Sequence, residues 1–127
     1  MYTLRTSKKG VTEIIQDLVV AIEKNNFGVL HIHDLKGTMN KKGVEFKNPC
    51  LVLEVCNPTH AAGILNLDMR ICLALPCRIA VYRENGETTV GTLQPVPLMK
   101  FFGYDPSMLK IAQNVEDDIM AIIEDAI

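Results

Sequence analysis

The segment VCNPTH (55–60) sets a thiol, Cys56, directly before an Asn-Pro pair, and a second thiol, Cys77, follows Pro76 in ALPC (74–77). Asn57 suits a helix N-cap and Pro58 the first helical position. Cys56 then faces the unpaired amides and the positive end of the helix dipole, a placement that stabilises a thiolate. His60, about one turn in, would add positive charge or a proton route. If the intervening segment simply returns the chain, Cys56 and Cys77 lie at the same end of the sheet. Such a pair forms a redox couple, holds a persulfide or binds a soft metal. The opposing reading is that free cysteines are among the most buried residues and act as small hydrophobes. Strand alternation puts Cys50, Val52, Glu54 and Cys56 on one face, with Leu51, Leu53 and Val55 on the other.

Other residues could do chemistry. His31 and His33 in HIH share one face of a strand, a spacing that can hold a metal between two imidazoles. With Cys56, Cys77 and His60 a mixed Cys/His site is conceivable. No further ligand has recognisable spacing, so a solvated or partner-facing pair of histidines is the favoured reading. Glu54, if it shares the Cys56 face, could act as a base; a surface carboxylate on an edge strand is the expectation preferred. Cys50, beside Pro49, and Cys72, among the apolar residues of MRICLALP, read as packing residues. There is no serine elbow, phosphate-cradling glycine loop or zinc-protease helix pattern. No C-x-x-C pair is present, any cofactor is left open, and Ser7 and Ser107 both read as helix-start residues.

The elements that must position these groups follow from periodicity. Residues 2–6 alternate as a strand, and the Thr6-Ser7 pair suits a helix start. Val11, Ile14, Ile15, Leu18 and Ile22 form the stripe of an amphipathic helix from about Lys8 to Asn26, closed by Asn25, Asn26 and Gly28. Residues 27–35 read as a strand and 36–49 as a loop. The apolar run 50–56 reads as a central strand, and a short helix follows from Pro58 to Leu67. Strands at 77–84 and 88–94 flank Asn85-Gly86, a hairpin signal. The apolar stretch 95–104 is expected to fold onto the core or to form a dimer contact. Asp105-Pro106 opens a last helix whose stripe is Met108, Ala112, Val115, Ile119, Ile122 and Ile123. The order β-α-β-β-α-β-β-α predicts one α+β domain, a two-layer sandwich with a mainly antiparallel sheet covered by helices.

The 127 residues are enough for one domain with a substantial core, with 48% hydrophobic and 22% charged residues. A net charge of −2 gives no electrostatic reason to expect nucleic acid or anionic lipid. Lys8-Lys9 and Lys41-Lys42 read as solvated loop pairs. The first residues lack the apolar core of a signal peptide, and no apolar run reaches membrane-spanning length, so a cytoplasmic location away from the membrane is expected. The four cysteines are then free thiols.

The run LEVCNPTHAAGILNLDMRICLALPCRIAVYRENG resembles the prokaryotic domain of unknown function 302 family. The hallmark of that family is an x-Asn-Pro segment entering a short helix, then a Leu-Pro-x segment leading into a strand. Asn57-Pro58 and Leu75-Pro76 fill these places. The resemblance extends over nearly the whole chain and is sharpest across 51–86. It implies a compact α+β fold and self-association, with a dimer expected, and it brings no activity. Many members carry Gly-Asn-Pro and Leu-Pro-Leu; this chain, with Cys-Asn-Pro and Leu-Pro-Cys, resembles a cysteine-bearing subset. Neither cysteine is then demanded by packing. The expectation is a thiol site of Cys56 and Cys77, with His60 and Asn57 beside them, for a sulfur species, metal or other soft ligand. The alternative is a non-enzymatic oligomerisation or interaction module with structural cysteines.

Overall fold

Five strands form one antiparallel sheet in the computed structural model, which describes all 127 residues. The order along the chain is β1 (Tyr2–Ser7), α1 (Val11–Lys24), β2 (Gly28–Asp34), α2 (Leu35–Lys41), β3 (Cys50–Cys56), α3 (Pro58–Leu67), a 3₁₀ helix (Met69–Ala74), β4 (Cys77–Glu84), β5 (Glu87–Leu93), α4 (Pro95–Met99) and α5 (Pro106–Ala126). Across the sheet the strands run β1-β5-β4-β3-β2, so β3 is interior, as its apolar run implied. Asn85 and Gly86 both take positive φ, the requirement of the tight β4–β5 hairpin.

The helices α1 and α5 cover one face. Leu18 and Ile22 of α1 and Ile119, Ile122 and Ile123 of α5 meet Leu53, Val55, Ile79, Val81 and Val90 of the sheet in the main core. Alternation along β3 works as expected, with Leu53 and Val55 fully buried. A second, smaller cluster of Ile64, Ile71, Met99, Met108 and Ala112 joins α3, the 3₁₀ helix, α4 and the start of α5.

Several local expectations are corrected. Ser7 ends β1 instead of starting a helix; its Oγ accepts from the Lys9 amide at 3.2 Å, and Gly10 is the N-cap of α1. The first half of 36–49 is helical: Asp34 caps α2 by accepting from the Gly37 amide at 2.9 Å, so an Asx cap outweighs the loop-like composition. The stretch 95–104 contains α4, whose Pro95 and Met99 are buried, while Phe101 and Tyr104 stay exposed. Asp105 caps α5 as predicted, accepting from the amides of Ser107 and Met108.

Candidate functional site

The two signature segments meet. Val55, the penultimate residue of β3, is the antiparallel partner of Cys77, the first residue of β4. Cys56 is the last residue of β3, and the chain turns from it directly into α3. Asn57 caps that helix, its Oδ1 accepting from the His60 amide at 3.1 Å, and Pro58 follows as the first helical residue. The cap and first-position roles predicted for Asn57 and Pro58 are therefore filled.

Cys56 and Cys77 both line an open cavity of about 290 Å³. Its walls come from the ends of β3 and β4, from α3, the 3₁₀ helix, α4 and the middle of α5. It lies on the seam between the two core clusters: Phe27 and Val55 belong to the main core, Ile64, Met99 and Ala112 to the smaller one. Thirteen of the seventeen lining residues are hydrophobic. The exceptions include Asn57, whose side-chain oxygen is committed to the cap, and His60, whose Nε2 lies 3.6 Å from Asp118 Oδ2 on α5. The His60 ring also tilts against Phe27, with centroids 6.5 Å apart. The cavity offers a ligand thiols and apolar surface and no free charged group.

All four cysteines are free thiols, and three of them line this cavity. Burial, and after it the negative charge that Cys56 carries when ionised, pushes the Cys77 thiol up from 9.0 to about 11. Cys77 is therefore held protonated at neutral pH. Cys72 overturns its reading as a packing residue: it is exposed, at the cavity's edge. The 3₁₀ winding turns Ile71 fully inward and leaves Cys72 and Leu73 outside. The one sequence signal for that helix was Asp68, whose carboxylate accepts from the Arg70 amide at 2.9 Å and pairs with the Arg70 guanidinium, which holds its pKa low. Cys50 is partly buried at the far end of β3, where burial, and next the Asp34 charge, raises its pKa.

The histidine pair stands elsewhere. His31 and His33 are absent from the cavity lining, so the mixed Cys/His site does not form. Their rings touch edge to face at 4.3 Å between centroids, and His33 Nε2 lies 2.6 Å from Glu54 Oε1. That hydrogen bond lowers the Glu54 pKa and occupies its carboxylate, which is thereby withdrawn from serving Cys56. Glu54 also sits on an interior strand, between β2 and β4, and not on an edge. No three histidine, cysteine or acidic side chains converge closely enough to hold a metal ion. No helix is long and apolar enough to cross a membrane.

Comparison with known proteins agrees with the fold. Residues 2–126 match the family model described as domain of unknown function DUF302. The crystal structure of an uncharacterized conserved protein DUF302 from Bacillus stearothermophilus superposes with a TM-score of 0.93 at 32% identity, covering 99% of this chain and 98% of that one. No curated protein matches the chain.

Proposed function

Since the chain belongs to the family of the domain of unknown function DUF302, its chemistry has to be read from the cavity, and we propose that it binds and carries a neutral, thiol-reactive small molecule at Cys56, with Cys77 as partner thiol and His60 as modulating group. One observation carries this reading: Cys56, Cys72, Cys77 and His60, from three separate segments, line a single apolar cavity. Its volume of about 290 Å³ is at the lower end of ligand sites, which run from about 300 to 1,000 Å³. No three ligating side chains converge on a point, which favours a molecule of several atoms over a bare metal ion. A charged ligand would lose its hydration without a counter-charge in the wall. A reducing compartment, the cytoplasm, suits such a site.

The test is native mass spectrometry on protein purified without oxygen, beside the denatured mass of the same sample. The expected result is added mass that is lost on denaturation or maps to Cys56, and that Cys56→Ser abolishes. A bare protein that takes up no neutral thiol reagent at Cys56 in preference to the exposed Cys72 would overturn the proposal.

A second reading, association without chemistry, draws on a different surface. Tyr2 and Leu93 are register partners, and Leu4 lies over Gly91, on the sheet face opposite α1 and α5. All three side chains are exposed, at 66%, 55% and 45%. A homodimer formed through this face should dissociate on Leu4→Lys while the cavity keeps its reactivity; an unchanged sedimentation coefficient would exclude the face as the contact.

A further inference from the structure

The two cavity cysteines differ in a way that bears on what the cavity does with its ligand, and this inference rests on the thiol-site reading above. Cys77 opposes Val55 across β3 and β4, so Cys56 is its diagonal neighbour, one residue along. Opposed antiparallel residues stand about 4.5–5.5 Å apart at Cα and one residue advances about 3.3 Å, which puts the diagonal pair at about 5.5–6.5 Å. Disulfides span about 4.4–6.8 Å between Cα atoms. Regular alternation would send neighbours of this kind to opposite faces, yet both residues line one cavity, and Cys56 stands where the strand gives way to the α3 cap. The register therefore places the pair within the Cα range of a disulfide.

We propose that the cavity carries out two-thiol exchange with a neutral, apolar disulfide, Cys56 attacking it and Cys77 resolving the product. In the first step the Cys56 thiolate attacks one sulfur of R–S–S–R. The S–S bond breaks, the mixed disulfide Cys56–S–S–R forms, and RS⁻ leaves to take up a proton. In the second step the Cys77 thiol gives up its proton and its sulfur attacks that of Cys56. The Cys56–Cys77 bond forms, and the second R group leaves as RSH. The balance is one disulfide and two protein thiols giving two small thiols and one protein disulfide: the ligand is reduced and the protein oxidised. No other oxidant is needed.

The environments assign the order. Burial keeps Cys77 protonated at neutral pH, so it does not compete for the first attack. Cys56, partly exposed and beside the capped start of α3, is the group assigned the first attack. Cys72 lines the same cavity from the exposed side of the 3₁₀ helix and belongs to neither paired strand. The apolar lining selects the substrate: dipropyl disulfide enters without loss, whereas oxidised glutathione must bring carboxylates and ammonium groups into a wall with no counter-charge.

Reduced full-length protein is exposed to dipropyl disulfide, and its intact mass and disulfide map are followed with time. Wild type should lose two hydrogens, retain no propylthio group and map to Cys56–Cys77. Cys77→Ala should retain one propylthio group on Cys56, and Cys72→Ser should behave as wild type. Oxidised glutathione should react at least about tenfold more slowly, the cost of bringing uncompensated charge into an apolar wall. A propylthio group that persists on wild-type Cys56, or a bond from Cys56 to Cys72, would overturn the exchange while leaving Cys56 as the ligand thiol. Wild type with neither an adduct nor a disulfide at Cys56, and Cys77→Ala with no adduct there, would sink the thiol-site reading together with it. The wild-type map decides the matter even if Cys77→Ala folds poorly.

Discussion

Leu53→Ala should lower the unfolding free energy by about 2–5 kcal/mol, a large part of the roughly 5–15 kcal/mol that holds a domain of this size together. Leu53 is fully buried on an interior strand, among side chains from both covering helices and three strands. Close packing there limits how far its neighbours can relax into the space left behind. Ile71→Ala, equally buried but in the five-residue cluster, should cost less, near the lower end of the same range. The 3₁₀ helix that carries Ile71 borders an open cavity, so its surroundings can shift to close the void. Urea unfolding of the two variants checks this through the midpoint at constant slope. Equal losses would mean that the two clusters act as one core, and the seam on which the cavity lies would have no energetic counterpart.

The second large effect is on pH dependence. Because Cys77 titrates at about 11 in the folded protein against an ordinary 9.0, the fold favours its protonated form. Below pH 9 both states hold the proton and its full contribution is present. Between pH 9 and about 11 the unfolded chain gives up the proton while the native one retains it, so stability falls as pH rises and levels off above the folded value. The rise corresponds to up to about 3 kcal/mol at the alkaline end. Cys77→Ala should lose this part of the alkaline slope, and the contributions of groups remote from the cavity cancel in the difference between the two proteins. Parallel wild-type and Cys77→Ala stability curves from pH 8 to 11 would show that Cys77 is solvated, and with it that the cavity does not enclose the thiol.

What was legible in the sequence was what local chemistry decides. Periodicity located α1, β3 and α5, because an amphipathic stripe or an apolar run has few ways to be buried. Asn57-Pro58 and Asp105-Pro106 marked helix starts, since a side-chain acceptor followed by a ring with fixed φ satisfies the first turn in almost any context. Weaker local signals failed where a competitor lay nearby: Thr6 and Ser7 could extend a strand as easily as begin a helix, and β1 gained its ladder with β5. Asp34 as the cap of α2 was concealed by the Gly and Lys around it.

The amino-acid sequence by itself determined an α+β domain and two thiols at the turns that enter α3 and β4. Only the tertiary structure decided what those thiols share. That Cys56 and Cys77 line one cavity depends on β3 pairing with β4 in one register, and a slip of one residue would turn every side chain of the strand to the other face. That Cys72 joins them depends on a 3₁₀ turn tied down through Arg70, whose guanidinium donates to the Phe102 carbonyl at 3.0 Å. That His31, His33 and Glu54 stand apart depends on which neighbour β3 pairs with on its other side. Helix caps and amphipathic stripes are set by residues a turn apart, but a cavity is a meeting of residues tens of positions apart, and no local rule specifies which of them meet.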